Sequence, residues 1–475
     1  MLTFIWRERR AARSASLSSA PGLKASSFVS ADSQGYRKGQ LLLDAFTHHD
    51  FPLPLRFVEI KRNIAASNPN FQEHTTQAWN EVLVELDKVT RNIIKDGSDV
   101  SFADLANLTE TQIDDIKRKG TVVIKDVVDD AEARAWKTSL EEFIEANPHA
   151  DGFPEDKKQF FHVYWTKAQV QARAHPNMLA VSAWLNGLYH AKSDEKLEGV
   201  DLSTPLSYAD RFRIRNPGVI WARHPLISMV RGSIERWEDV NFRACFEDIL
   251  SGAWSKHDPY LLEPRLDAKT SLYRRPNQSS VFRTFQGWLA LSKTGPHQGT
   301  LKVFPDVLLS NAYIILRPFF RPLVPADSKE VFDPKNWEFD ISTPDFPGIF
   351  PRDSGFAGPH PTPELHPHLL LDATMTSVPS VNPGDTVFWH CDVVHSVEQE
   401  HTGTEDSAVM YIPTVPLTPA NKLYIERQKG DFLRGVPPPD FPVPQTDTAL
   451  VGLGTAEDIE EPLGRRAMGL PISVA

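Results

Sequence analysis

The chain has 475 residues, 41% of them hydrophobic and 10% aromatic, with 27 Phe and 11 Trp, which is ample material for a packed globular core. Its formal net charge of -11, from 62 acidic against 51 basic side chains, repels phosphate backbones and anionic lipid, so nucleic acid and membrane surfaces are disfavoured as partners. The two cysteines, Cys245 and Cys391, make neither a disulfide framework nor a structural zinc site, and no run approaches the roughly eighteen apolar residues of a membrane span.

The first thirty residues place Arg7, Arg9, Arg10, Arg13 and Lys24 among Ser and Ala, with Glu8 the one acid before Asp32. That composition reads as a disordered terminus or as a mitochondrial presequence. A cytoplasmic location is the first expectation and a mitochondrial one the alternative. From Phe71 to Ile94, Trp79, Val82, Leu83, Leu86, Val89 and Ile93 recur at three- and four-residue spacing and predict an amphipathic helix. A second helix is expected over Phe102 to Lys119, stopped by Gly120. Thr121 to Val128 reads as a strand, and Asp129 and Asp130 as the cap and first-turn acids of a helix through Trp136, Leu140 and Phe143. Gln159 to His190 is mostly helical in pattern, with a break at Pro176.

Beyond Tyr208 the texture changes. Arg211 to Arg215 alternates with period two, and Ser279 to Leu291, Thr300 to Phe304, Ala312 to Leu316, Val378, Thr386 to Trp389 and Ala408 to Ile412 are expected as short strands between Pro, Gly and Asp turns. This is barrel or sandwich texture. Proline clusters in Pro322 to Pro367 and Pro437 to Pro444, read as long ordered loops and a C-terminal tail. No internal repeat is visible.

The densest chemistry lies in Pro383 to His401, where His390, His395 and His401 accompany Asp385 and Asp392. Strand parity puts His390 and Asp392 on one face and His395 on the other. His390-x-Asp392 can chelate a divalent metal, including zinc or manganese in a cupin-like site, or it can be a polar rim where a strand leaves a barrel. His366 and His368 bring the histidines of this region to five. Cys391 is either a thiol nucleophile or a small buried side chain. No nucleophile elbow, phosphate-cradling loop or dinucleotide fingerprint occurs.

The strand and helix opening from Thr121 to Trp136 resemble the start of phytanoyl-hydroxylase-type iron(II)/2-oxoglutarate-dependent dioxygenases. Phe285-Gln-Gly-Trp-Leu-Ala-Leu-Ser, Gly295 to Pro305, and Pro383 to His395 resemble successive strands of the double-stranded β-helix of those enzymes. More closely, Asp210 to Gly218, Gly232-Ser-Ile-Glu-Arg-Trp-Glu-Asp, Leu316-Arg-Pro-Phe-Phe and Ala420-Asn-Lys-Leu-Tyr resemble a microbial family, domain of unknown function 1479, within that superfamily. The resemblance runs from about Phe71 to Pro444. It implies an α+β fold: residues 1–40 disordered or targeting, 41–204 a helical region with one lead-in strand, 205–430 a double-stranded β-helix (a jelly-roll or cupin-like barrel), and 431–475 a Pro-rich tail.

The resemblance also implies Fe(II) and 2-oxoglutarate as cofactors and oxidation of a small-molecule substrate. Its iron is held by an early His-x-Asp and a late histidine. His395, after the Gly-Asp turn, matches the late histidine, and His390 becomes a pocket or supporting residue. The early pair is expected just before Gly232, but the chain there reads Pro225-Leu-Ile-Ser-Met-Val-Arg, with neither imidazole nor carboxylate at Leu226 and Ser228. Ile227-Ser-Met-Val can be encoded so that a shifted frame reads His-Leu-Asp-Gly, an expectation tested by the transcript over codons 222 to 232. No catalytic residue is assigned, and as written the chain is expected to bind iron poorly and turn over little. The segment Thr402 to Met410 lacks the usual basic residue for 2-oxoglutarate, so Arg283 and Arg317 are the candidate carboxylate anchors, with Gln286 and Trp288 lining the pocket. The rival expectation is a non-catalytic barrel that binds a small molecule or a protein. Oligomeric state leaves no legible mark in the pattern.

Overall fold

The computed structural model describes residues 52–105, 107–193, 196–218, 232–442 and 449–472. The chain enters through the helices Arg56–Ala66 and Phe71–Asp96, the second burying Phe71, Trp79, Val82, Leu83 and Leu86 on the face the spacing predicts. Strand β1 (Ser101–Ala103) and the helix Glu110–Lys119 follow, so the predicted second helix starts later than expected. Thr109 explains the start: its side chain and that of Gln112 form a reciprocal capping box. Gly120 closes this helix at φ 66°, and a Cβ there would lie 2.6 Å from Val393 Cγ2.

Next come β2 (Thr121–Ile124) and the helix Asp130–Ala146, capped by Asp129 on the N–H groups of Ala131 and Glu132. β3 (Gly152–Phe153) and β4 (Phe160–Phe161) precede helices Lys167–Ala174 and Pro176–Asn186, separated at the expected proline. The chain then forms β5 (Asp201–Leu206), β6 (Phe212–Arg215), β7 (Phe285–Ala290) and β8 (Leu301–Val303).

Residues Ala312 to Leu316, expected as a strand, are helical within Val307–Leu316. Asp306 caps that helix by accepting from the Leu309 N–H at 2.9 Å, and almost every residue in it is buried, so no alternation or helical stripe could be read. The proline-rich stretch holds two small hairpins, β9 (Phe320–Pro322) with β10 (Trp337–Phe339) and β11 (Phe350–Arg352) with β12 (Gly355–Ala357). β13 (Thr376–Ser377), β14 (Thr386–His390), β15 (His395–Val397), β16 (Ser407–Tyr411) and β17 (Val415–Leu417) lead to the helix Pro419–Arg434. The chain beyond 430 is partly built into the fold: Ile459, Ala467, Met468 and Leu470 are buried.

Eight strands form the main sheet in the order β1-β2-β14-β7-β16-β6-β4-β3. Three form a second sheet, β13-β8-β15. Val123, Val387, Trp389, Trp288, Ala290 and Val409 of the main sheet share one apolar cluster with Leu301 and Val303 of the second, so the two sheets face each other. The opposite face of the main sheet, with Val122, Phe285, Phe388 and Met410, packs on Trp136, Leu140 and Leu185 of the helices. The architecture is mixed α and β with layered sheets, and among the described residues the sheets do not close into a barrel. No helix among the described residues is long and apolar enough to cross a membrane.

Candidate functional site between the sheets

The turn Pro383-Gly384-Asp385 sets the start of β14. Gly384 has φ 87°, and its carbonyl accepts from Val127 and Val128 N–H, while the Asp385 carboxylate accepts from Asp126 and Asn382 N–H. From that anchor β14 runs between β2 and β7, with Trp389 opposite Thr121 on one side and Gln286 on the other. Trp389 belongs to the cluster between the sheets, so Thr121 and Gln286 rise from the same inner face. Trp288 and Tyr411 are partners one step along β7 and β16 and share that face.

His395 opens β15 opposite Val303, whose side chain points between the sheets, and its ring lies 5.4 Å from the Trp389 ring centroid. Its Nδ1 is 2.9 Å from the Val393 carbonyl. That contact requires a proton on Nδ1, which leaves Nε2 as the acceptor. Burial pushes the imidazole down to about 4, and the positive charge of Arg283 acts in the same direction. Gln286, His395 and Tyr411 point between the sheets yet are partly accessible, so the gap is open at this end.

Arg283 lies just before β7, and its charge reaches His395. It is 8% exposed, lies over the Tyr208 ring at 5.3 Å, and has Asp210 Oδ2 at 3.7 Å, beyond hydrogen-bond distance. Asp210 is spoken for by Arg211, whose backbone N–H and Nε donate to Oδ1 at 2.8 and 2.9 Å. A guanidinium thus sits nine-tenths buried with no hydrogen bond among the described residues.

His390 lies on the other face of β14. Its ring stacks on Tyr189 at 5.5 Å and meets Tyr260 and Phe285. Nε2 is in a short hydrogen bond with the Tyr189 hydroxyl, and Nδ1 accepts from the Asp392 N–H at 3.2 Å. The Asp392 carboxylate is clamped by Arg236 at 3.0 Å and Arg265 at 2.8 Å, all three side chains at most 1% exposed. His390, Cys391 and Asp392 are the one group of three potential metal ligands among the described residues, their ligand atoms within 4.8 Å of one another. The donor chemistry does not fit a cation: both ring nitrogens are engaged, and an ion here would displace two guanidiniums from the carboxylate and sit beside them. Cys391 is buried, with Arg265 Nη1 3.4 Å from its sulfur.

The remaining expectations scatter. Arg317 donates to the Leu365 and Phe320 carbonyls and covers the Trp337 ring, in the core formed with the N-terminal helices rather than between the sheets. It holds the fold there because two carbonyl oxygens and an aromatic face already occupy its fork. His368 belongs to the same aromatic core, 3.2 Å from the Tyr313 hydroxyl, and burial pushes it down to about 3. His401 accepts from the Gly403 N–H in a loop. The five histidines therefore serve four places, His366 and His368 both lying against the Tyr313 ring. The early ligand positions Leu226 and Ser228, and His224, lie outside the described residues. Thr121 went unnoticed in the sequence, where it read as the first residue of a β-branched strand. Its signal is register, which only pairing supplies.

A model of the Gig2-like family matches residues 51–470. The chain belongs to the Gig2-like family. The crystal structure of GlcNAc Inducible Gene 2, GIG2 (DUF1479), from Candida albicans superposes with a TM-score of 0.77 at 32% identity, covering 89% of this chain and 91% of that one. The DUF1479 designation is the family the sequence resembles. A hypothetical protein from Escherichia coli, JW0805, superposes with a TM-score of 0.71 at 27% identity, over 89% of this chain and all of that one, 100%. The uncharacterized protein YbiU of Escherichia coli strain K12 is 30% identical over 386 residues, 78% of this Gig2-like chain and 85% of YbiU.

Proposed function

We propose that this Gig2-like chain is an oxidoreductase-type fold of the iron(II)/2-oxoglutarate dioxygenase lineage that keeps a carboxylate-binding pocket between its sheets but not, as written, an iron-holding triad. The strand order supports the lineage. The order β6-β16-β7-β14 in one sheet and β15-β8-β13 in the other, with β13 to β16 falling alternately in the two sheets, is compatible with a double-stranded β-helix. His395, the match to the late ligand of the resemblance, faces inward with Nε2 presented and its other nitrogen oriented by a carbonyl, which supports that role.

The observation that carries the reading is Arg283, buried, without a hydrogen bond among the described residues, and with its charge acting on His395. A guanidinium in that state matches a carboxylate of a small organic acid, and 2-oxoglutarate is the probe that the resemblance supplies. The residues present do not fit iron. Among the described residues His395 belongs to no group of three potential ligands, and residues 219–231 contain His224 but no Asp, Glu or Cys. Imidazole without a carboxylate is a poor site for Fe(II). No step of catalysis through iron is therefore assigned to the chain.

The test has two arms. Titration calorimetry with 2-oxoglutarate is expected to give binding that Arg283→Ala weakens by about tenfold or more; unchanged affinity removes Arg283 as the anchor. Metal analysis after anaerobic Fe(II) loading is expected to find little iron in the native chain and about one equivalent in Leu226→His/Ser228→Asp. Full occupancy in the native chain would show that another ligand set completes the site.

A further inference from the structure

Three hydrogen-bonding side chains stand in one row across the inner face, Thr121 on β2, Trp389 on β14 and Gln286 on β7, each the register partner of the next. Their neighbours on that face are Val123, Val387, Trp288 and Ala290. Thr121 is 0% exposed and Trp389 3%. Neither Thr121 Oγ1 nor Trp389 Nε1 has a hydrogen-bond partner, and the Gln286 amide makes no hydrogen bond among the described residues. The His395 ring, with Nε2 as acceptor, lies against Trp389. Buried polar groups are mostly paired within the fold, as Arg215 of β6 on the same face is by the Glu398 and Gln399 carbonyls, so an unpaired row beside Val123, Val387, Trp288 and Ala290 is where a ligand supplies the missing partners.

The chemistry of the row selects the partner. Trp389 Nε1–H only donates, His395 Nε2 only accepts, and Thr121 and Gln286 do both. A carboxylate or ketone oxygen cannot donate to His395. A hydroxyl can donate to the imidazole while accepting from the indole, and it needs no charge opposite it. Arg283, whose charge reaches His395, supplies a cationic contact.

The geometry points to a polar band, Thr121, Trp389, Gln286 and His395, that reads the hydroxyl groups of a small hydroxylated carboxylic acid whose carboxylate meets Arg283. The carboxylate half of this assignment rests on the reading under Proposed function; the band stands on its own row of unpaired groups. The band is a specificity element, distinct from an iron site because it uses His395 as a hydrogen-bond acceptor.

Three probes of equal carbon number separate the two halves: gluconate carries hydroxyls and a carboxylate, hexanoate only the carboxylate, sorbitol only the hydroxyls. Binding is measured by calorimetry on the full chain, and the Trp389 indole N–H is followed by ¹⁵N NMR, its signal identified by its loss in Trp389→Phe. Gluconate is expected to bind about tenfold or more tighter than hexanoate and to move the indole signal. Thr121→Val/Gln286→Leu is expected to remove that preference by lowering gluconate affinity at least about tenfold, and the single Thr121→Val, isosteric and checked for folding by its melting curve, to reduce it in part. Equal affinity for gluconate and hexanoate overturns the band and leaves Arg283 as anchor. Equal affinity for gluconate and sorbitol supports the band and removes the anchor. Gluconate binding with an unmoved indole signal, or no binding of any probe, overturns the band.

Discussion

The two faces of β14 carry similar side chains and treat them in opposite ways. On the outer face His390 has both nitrogens engaged, by the Tyr189 hydroxyl and the Asp392 N–H, and Asp392 beyond it is gripped by Arg236 and Arg265. On the inner face, one residue away, Trp389 is equally buried, yet its indole N–H and the hydroxyl of its neighbour Thr121 have no partner. The outer carboxylate is held by two charge-assisted pairs, although Arg236 Nε and Nη2 in the same network have no hydrogen-bond partner; on the inner face neither Thr121 Oγ1 nor Trp389 Nε1 is paired, and that row is where a ligand supplies partners. The His-x-Asp that attracts the eye in the sequence is on the structural side of that divide.

If this contrast is right, the outer face is where stability lives. Asp392→Ala leaves two buried guanidiniums facing each other and is expected to cost about 3–5 kcal/mol in urea unfolding. A loss below about 1 kcal/mol would break the comparison. Acid should act on the same network. His257 is pushed down to about 4, first by burial and then by Arg265. Its folded pKa lies below the unfolded value, so its contribution is fully present above pH ~6.5 and is lost as pH falls toward 4. Between pH 6.5 and 5 that loss amounts to about 2 kcal/mol. The native chain should therefore lose about 2 kcal/mol more than His257→Gln over this interval, and parallel pH profiles would remove the assignment.

Smaller effects sharpen the contrast. Tyr189→Phe deletes the hydroxyl that bonds His390 and the Thr284 carbonyl and is expected to cost about 1 kcal/mol by the same unfolding assay. Thr121→Val on the inner face removes an unpaired hydroxyl at constant shape, and stability is expected to stay within about 0.5 kcal/mol or to rise. A cost as large as that of Tyr189→Phe would mean that Thr121 already has its partner within the fold.

Much of this was legible in the amino-acid pattern because it is local. The helix over Phe71–Asp96 follows from its apolar spacing, the stop at Gly120 from a left-handed cap, and the Asp129 cap from its position before a helical run. The strands Thr386–His390 and Ser407–Tyr411 follow from β-branched and aromatic runs between turns, whereas His390 and His395 lie on strands of different sheets, so their facing comes from the crossover between sheets and not from parity along one strand. Val307–Leu316 was misread because a helix buried on all sides has no period to detect. Arg317 and Arg283 look alike as arginines near β-rich segments. Only packing shows one committed to carbonyls and the other without a hydrogen bond.

Composition, caps and alternation thus determined the elements, the sidedness of β14 and membership in a recognisable family, since each depends on residues within a few positions of one another. Tertiary structure alone decided which polar groups are satisfied and which wait. Thr121, Gln286, Trp389 and His395 come from four strands, and their meeting is set by sheet register, which no local stretch of chain encodes.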